Sequence, residues 1–169
     1  NSGGAFDSHG EVVILVDDSY SMGTVTGTET RFEIAKKHAL KIVGSQPKGY
    51  GVSVVRFNQY TSAVMGGFST DMELVKESVK KMKPGHLNGN IEGGLDYGLS
   101  LFKKEGSKKI VFVISDFQEI DWKNPSESFL KKLKEISEAQ DTKKVSLFFI
   151  PVTDSEKENL AVESVSATQ

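Results

Sequence analysis

Three side chains that carry oxygen, Asp17, Ser19 and Ser21, alternate along a short stretch that directly follows an unbroken apolar run, residues 12–16. Such a run is typical of a parallel strand buried on both faces, and ligands of open α/β sheets bind beyond the carboxyl ends of such strands. One carboxylate and two hydroxyls are hard ligands, which suit Mg²⁺ or Mn²⁺ better than zinc. The spacing therefore predicts a divalent-metal site, unless Asp17 and Ser19 only cap a turn.

A second acidic strand end lies further along the chain. Residues 110–114 form another five-residue apolar run, which ends at Ser115 and Asp116. This strand end repeats the pattern at Asp17, at the end of a strand where open α/β sheets bind their ligands. Two acidic strand ends of the same form favour a shared metal site over two unrelated turns.

A loop rich in glycine and asparagine, residues 85–90, precedes a helix that the sequence predicts to begin near Ile91. The apolar residues at helical spacing are Ile91, Leu95, Leu99 and Phe102. The loop lacks the Gly-Lys-Ser/Thr ending of phosphate-binding loops and does not directly follow a strand. These two departures argue against a phosphate cradle.

The Asp-x-Ser-x-Ser pattern after an apolar strand resembles the metal-ion-dependent adhesion site of von Willebrand factor A domains, the family that includes the inserted domains of integrins. The stretch RFEIAKKHALKIV is similar to the first helix of that family. The strand end at Asp116 resembles the family's Thr-Asp-Gly or Ser-Asp-Gly, with Phe117 in place of the glycine. The resemblance covers residues 11–152.

The loop before Ile91 is similar to the family's Gly-Gly-Thr-Asn pattern, in which the threonine hydroxyl reaches the metal. The alignment puts Gly89 at the position of that threonine, so the hydroxyl is missing from this chain. The resemblance then implies that Asn88 or Asn90 supplies a carbonyl oxygen, or that water fills the gap.

The resemblance implies a metal-dependent protein-binding module of adhesion or assembly rather than an enzyme. In this interpretation Ser19 and Ser21 bind Mg²⁺ or Mn²⁺ directly, while Asp17 and Asp116 act largely through water. A partner protein completes the coordination with its own Asp or Glu. The charge of nearby Asp18 is a further contribution that the sequence allows.

Three aromatic residues within or just after the site loops, Tyr20, Phe117 and Trp122, are predicted to contact the partner. Trp and Tyr are common interface anchors because they bury much area at little entropic cost. For Trp122 the alternative is a ring folded onto the next helix, which we predict to start with Asn124 as its N-cap and Pro125 as its first residue.

A Mg²⁺-dependent phosphohydrolase, or a phosphoryl-accepting domain that uses Asp17, is the alternative from another functional class. Haloacid-dehalogenase-like enzymes have Asp-x-Asp after the first strand, whereas position 19 is Ser. A receiver domain needs a Lys at a strand end beside the site, whereas Lys108 and Lys109 begin their strand. His86 lies near the site loop without a paired nucleophile. We therefore predict no enzymatic activity.

The composition of the 169 residues, with 37% hydrophobic residues and a net charge of −2, fits one globular domain. No charge run indicates nucleic acid or an anionic membrane surface as a partner of this stretch. No apolar run approaches the roughly 20 residues that span a bilayer. The chain has no cysteine, which excludes disulfides and cysteine-ligated zinc.

The order of predicted elements, β-α-β-β-α-α-β-α-β, indicates a doubly wound, Rossmann-like α/β fold. Its sheet is expected to be mostly parallel with one antiparallel edge strand, because the strands around residues 58–59 are too close for a parallel crossover. Helical patterns cover residues 30–45, 72–82 and 91–102.

The predicted domain organisation has three parts. Residues 1–10 are a linker or cloning remnant, residues 11–152 the von Willebrand factor A-like domain, and residues 153–169 a C-terminal edge strand or the start of a following domain. Residues 17–23 and 159–165 also resemble bacterial A-domain proteins of the aerotolerance type. Because the chain begins with Asn rather than Met, we expect a piece of a longer bacterial protein, extracytoplasmic and tethered to the membrane through sequence outside this stretch.

Overall fold

The computed structural model describes residues 9–103, 106–139 and 144–152, together with the backbone of residues 163–165. The strands are β1 (Gly10–Asp17), β2 (Val25–Thr26), β3 (Glu29–Thr30), β4 (Gly51–Phe57), β5 (Thr61–Ala63), β6 (Lys108–Ser115), β7 (Val145–Pro151) and β8 (Glu163–Val165). The helices are α1 (Arg31–Ser45), α2 (Met72–Lys80), α3 (Ile91–Ser100) and α4 (Glu127–Ser137), and a 3₁₀ turn covers Tyr20–Gly23.

The main sheet has the strand order β5-β4-β1-β6-β7-β8. The four central strands are parallel, whereas β5 and β8 pair antiparallel at the two edges. The predicted doubly wound, mostly parallel sheet is thus confirmed, with an antiparallel strand at the second edge as well. The chain passes from β1 to β4 on one side and returns to β6 on the other. The carboxyl ends of β1 and β6 therefore form a topological switch point, where ligands of such sheets bind.

Two hydrophobic clusters lie on opposite faces of the sheet, because successive side chains of a strand point to opposite sides. One cluster joins Val12, Ile14 and Val16 of β1 to α1 and α2. The other joins Val13 and Leu15 to α3 and α4. With both faces of β1 covered, all five apolar residues of this strand are fully buried, as the unbroken run predicts.

The amino ends of the helices are set by side-chain caps. Helix α1 begins after Thr30, which forms a reciprocal capping box with Glu33. Helix α4 begins at Glu127, because the side chain of Ser126 accepts a hydrogen bond from Phe129 N. This corrects the predicted N-cap at Asn124, which lies two residues too early.

Helix α3 lies unusually close to the sheet. A Cβ atom at Gly94 would lie 2.9 Å from Cγ of Phe57, and one at Gly98 would lie 3.1 Å from Cδ2 of Leu15. The glycines therefore allow an approach that a larger residue would obstruct. This packing fixes the helix whose preceding loop carries Asn88 and Gly89.

The predicted terminal segments are largely outside the described residues. Of the predicted linker only His9 and Gly10 are described, and Gly10 already belongs to β1. Of the predicted C-terminal segment, residues 163–165 form β8 at the sheet edge. Among the described residues, no helix has the length and apolar character needed to cross a membrane.

Candidate metal centre

Asp17, the last residue of β1, is held by hydrogen bonds from both sides of the switch point. Its Oδ1 accepts from Ser19 N at 2.8 Å, and its Oδ2 accepts from Ser115 Oγ at 2.5 Å. Ser115 Oγ in turn accepts from Phe117 N at 2.8 Å. The side chain of Asp17 is therefore fixed relative to both strand ends.

The two predicted serine ligands converge in the turn that follows. Ser19 Oγ and Ser21 Oγ lie 3.5 Å apart. The turn is held by a hydrogen bond from Met22 N to Ser19 O at 3.0 Å, and Met22 is buried below it with 1% of its surface exposed. Both hydroxyls line the same cleft as Asp17.

Asp116 approaches from the end of β6 and already contacts a cation of the protein. Its Oδ2 accepts from Arg31 Nη1 at 3.2 Å, and its Oδ1 accepts from Gln118 N at 3.3 Å. Arg31 is the first residue of α1. The guanidinium therefore offsets part of the negative charge at this edge of the site.

The cleft at the switch point has a volume of about 300 Å³. Its lining residues are Asp17, Ser19, Tyr20, Ser21, Asn88, Gly89, Asp116, Gln118 and Glu119. The structure thus brings together predicted residues from three loops, which follow β1, precede α3 and follow β6. The backbone links two of these loops, because Tyr20 N donates to Leu87 O at 2.7 Å.

Asn90 is not part of this cleft. Its side-chain Oδ1 accepts from Gly93 N at 3.0 Å and its backbone carbonyl accepts from Gly94 N at 3.1 Å, so it caps α3. The structure therefore places Asn90 at the amino end of α3 and not in the lining of the cleft, and its role as a source of a metal ligand stays a prediction. Asn88 stays as the asparagine that lines the cleft.

Asp18 also differs from the expectation, because its carboxylate points away from the cleft. It is fully buried, with Oδ2 accepting from Arg56 Nε at 2.6 Å and Oδ1 accepting from Asn58 Nδ2 at 2.9 Å. Arg56 thereby compensates its charge. Asp18 consequently joins β1 to the end of β4 and adds nothing to the charge available for a metal.

Glu119 is the site residue that the sequence interpretation missed. Its Oε1 accepts from Ile91 N at 2.6 Å, and the side chain lines the cleft beside Gly89. The available signal was an acidic residue three positions after Asp116, in the loop that leaves the same strand. The sequence alone did not indicate which way that loop turns.

Burial raises the pKa of both Asp17 and Glu119. For Asp17, desolvation outweighs the hydrogen bonds from Ser115 and Ser19, and the charge of Asp116 raises its pKa further. For Glu119, desolvation is again the main cause, opposed by the bond from Ile91 N, with nearby carboxylates adding to the rise. The cleft thus concentrates negative charge that water solvates poorly.

The aromatic residues predicted to meet a partner differ in exposure. Tyr20 and Trp122 are 73% and 54% exposed, whereas Phe117 is 6% exposed. The ring of Phe117 packs edge-on against Phe149, with centroids 5.4 Å apart. This burial corrects the prediction for Phe117, a residue with a left-handed backbone conformation at a φ of 53°.

Trp122 packs on the next helix and is still largely exposed. Its ring packs edge-on against Phe129 of α4, with centroids 6.2 Å apart, as the alternative of a ring folded onto the next helix predicts. More than half of its surface nevertheless faces solvent. Tyr20 and Trp122 stay predicted contacts of a partner.

The donor set fits a small hard cation. Every side-chain donor that the predicted loops bring to the cleft is an oxygen or an amide, as Mg²⁺ and Mn²⁺ prefer. Within the described ranges, no three His, Asp or Glu side chains form a metal-binding group by themselves. The arrangement instead combines carboxylates with two serine hydroxyls.

The family model of the von Willebrand factor type A domain matches residues 12–119 of the chain. This match covers more than half of the sequence and includes all three loops of the cleft. The chain therefore belongs to the von Willebrand factor type A domain family. A search of curated proteins finds no match.

Solved structures share the fold at low sequence identity. BatB from Bacteroides thetaiotaomicron is 19% identical with a TM-score of 0.70, over 84% of this chain and 66% of that one. An aerotolerance-related membrane protein from Bacteroides fragilis is 19% identical with a TM-score of 0.69, over 85% and 67%. The SpRpn10 VWA domain is 14% identical with a TM-score of 0.63, over 86% and 90%. The chain thus spans about two thirds of the first two structures.

Proposed function

We propose that this domain is a metal-dependent protein-interaction module of the metal-ion-dependent adhesion type. The observation that carries the proposal is the convergence of Asp17, Ser19, Ser21 and Asp116 in one cleft at the switch point of the sheet. Ser19 and Ser21 would hold Mg²⁺ or Mn²⁺, with Asp17 and Asp116 acting largely through water. Membership of the family supports the broader function, because its domains are commonly interaction modules.

A partner carboxylate fits the charge distribution of this cleft. Asp17 and Asp116 both accept hydrogen bonds from the protein, and Arg31 compensates part of the charge of Asp116. A cation held mainly by neutral hydroxyls keeps its affinity for an incoming anion. The partner would therefore present an Asp or Glu, and the exposed rings of Tyr20 and Trp122 would contact its surface.

The parent protein is proposed to be a bacterial, membrane-anchored protein with this domain outside the cytoplasm. The support is the fold shared with BatB and with a structure described as an aerotolerance-related membrane protein. The comparisons give no support to the alternative of a phosphoryl-accepting domain. Both oxygens of Asp17 also accept hydrogen bonds within the protein, which reduces the nucleophilicity of the carboxylate.

Replacement of Ser19 tests the metal site directly. We expect wild-type protein to bind one Mg²⁺ or Mn²⁺ per chain, and Ser19→Ala to weaken that binding by at least about 10-fold, since changes around metal ligands typically cost this much affinity. Isothermal titration calorimetry measures both constants. Ser62→Ala, at an exposed serine of β5 outside the cleft, is the matched control and should bind as wild type does. Equal affinity in all three proteins would refute the proposal.

The raised pKa values of Asp17 and Glu119 predict that metal affinity decreases as the pH is lowered. Protons compete with the metal for these carboxylates, in a window that extends upward from the usual values of 3.8 and 4.5. We expect weaker Mg²⁺ binding at pH 5 than at pH 7, measured by calorimetry at constant ionic strength. Identical affinities at the two pH values would contradict this coupling.

The metal-free protein should show the opposite trend in stability. Folded Asp17 and Glu119 bind protons more tightly than the unfolded chain does, so their contribution to the free energy of unfolding decreases as pH rises through the same window. Excess Mg²⁺ should offset this loss, because a ligand that binds only the folded state stabilises it. Urea unfolding with and without Mg²⁺ provides the comparison.

A further inference from the structure

The carboxylate of Glu119 occupies the space that a side chain at position 89 would fill. A Cβ atom built on Gly89 would lie 3.0 Å from Oε2 and 3.2 Å from Cδ of Glu119. Gly89 is not among the glycines with positive φ, so its backbone conformation does not itself require glycine. The steric reason for a small residue here is therefore the neighbouring carboxylate.

Among the described residues, only one oxygen of Glu119 accepts a hydrogen bond. Oε1 accepts from Ile91 N, the first residue of α3, at 2.6 Å. In the part of the chain that the structure describes, Oε2 has no hydrogen-bond donor. The anchored oxygen holds the side chain in place, and the carboxylate lines the cleft together with Asp17, Ser19 and Asp116.

We propose that Glu119 takes the role of the missing threonine as a ligand of the metal, an inference that rests on the proposed function. The loop that carries Gly89 brings no hydroxyl into the cleft, and Glu119 brings an oxygen into the same volume from the loop after β6. This ligand is charged where a threonine is neutral. Because ligand charge strengthens binding of hard cations, the site should hold Mg²⁺ before a partner arrives, and it should attract the partner's carboxylate less strongly than a site whose direct ligands are all neutral.

Four variants separate this role from a purely structural one. Glu119→Gln keeps the shape and the acceptor for Ile91 N but removes the charge, and Glu119→Ala removes the ligand. Gly89→Thr introduces a hydroxyl while the carboxylate of Glu119 is still present. The double variant Gly89→Thr with Glu119→Ala introduces the same hydroxyl after that carboxylate has been removed. Asp121→Asn is the control, because Asp121 Oδ1 only accepts from Lys123 N at 3.0 Å and Asn124 N at 3.3 Å.

Calorimetric titration with Mg²⁺ gives the readout, and the Mg²⁺-induced increase in melting temperature gives a second one. We expect Glu119→Gln and Glu119→Ala to weaken binding by about 10-fold or more, and Asp121→Asn to leave it within about twofold of wild type. Gly89→Thr alone should not tighten binding. In the Glu119→Ala background the same substitution should restore affinity several-fold, which a structural role of Glu119 does not predict.

The possible failures are distinguishable. If Ser19→Ala weakens binding while Glu119→Gln binds as wild type does, Glu119 is not a ligand and the proposed function stands. If adding Gly89→Thr does not improve binding by the Glu119→Ala variant, the two residues do not share one role and the inference is overturned. If wild type takes up no Mg²⁺ or Mn²⁺, both the inference and the metal-dependent function are overturned.

Discussion

Asp18→Asn is expected to lower the free energy of unfolding by about 3 kcal/mol, the lower end of the cost of breaking a buried ion pair. Asp18 is fully buried and accepts from both Arg56 and Asn58. The NH₂ group of an asparagine in its place would face the N–H group of Arg56 or of Asn58, so two hydrogen-bond donors would meet. Arg56 would also lose its counter-ion. The side chain of Arg56 is 31% exposed, so water recovers part of the loss. Urea or thermal unfolding of the metal-free protein measures the change.

Asp17→Asn is the matched control for that experiment, since it makes the same substitution one residue earlier. The charge of Asp17 is opposed by burial, and an amide can still accept from Ser19 N and interact with Ser115 Oγ. We expect its metal-free stability to stay within about 1 kcal/mol of wild type, as one neutral hydrogen bond contributes about that much. Its stabilisation by Mg²⁺ should disappear. Equal destabilisation by the two substitutions would contradict the different roles assigned to these neighbours.

Substitution of Phe117 is expected to have the second large effect on the free energy of unfolding. The buried ring stabilises the fold, whereas the left-handed backbone at this position is unfavourable for any residue with a Cβ atom. Phe117→Ala should cost about 3 kcal/mol, since it removes a buried ring from the cluster with Phe149 and Trp122. Phe117→Gly removes the same ring but suits a φ of 53°. We therefore expect glycine to be less destabilising than alanine by about 1 kcal/mol, the order of cost of a left-handed backbone for a residue with Cβ.

The measurement for this pair is the midpoint and slope of urea unfolding, which separates a change in stability from a change in the unfolded state. A glycine variant more stable than wild type would show that the ring contributes little. An alanine variant more stable than the glycine variant would show that the left-handed conformation carries no cost here. Either result would contradict the balance inferred from the structure.

The strands and helices that position the site were predictable because their patterns are local. The apolar runs that end at Asp17 and Ser115 specify buried parallel strands, and the shared sheet edge follows from their orientation. The start of α1 was also predictable, since Thr30 and Glu33 form a recognisable capping box. At α4 two plausible caps lie close together, and only the fold selects Ser126.

The side chains whose orientation depends on tertiary contacts were harder to predict. Asp17 and Asp18 are the same residue type, yet Asp17 lines the cleft whereas Asp18 pairs with Arg56 of β4. Phe117 follows a site residue, but its positive φ directs the ring into the core. Glu119 enters the site through a loop whose course is set by its bond to Ile91 N, a contact 28 residues away in the chain.

The hydroxyl of Ser115 limits which residues can end β6. It donates to Asp17 Oδ2 and accepts from Phe117 N, so one small group satisfies a buried carboxylate and a buried amide at once. Only serine and threonine carry such a hydroxyl on the β carbon. Alanine, valine or cysteine would leave both partners without a good replacement at a residue that is 1% exposed. The hydrogen bonds at this position therefore favour a β-hydroxyl residue for reasons of local structure, independent of any contact with a metal or a partner.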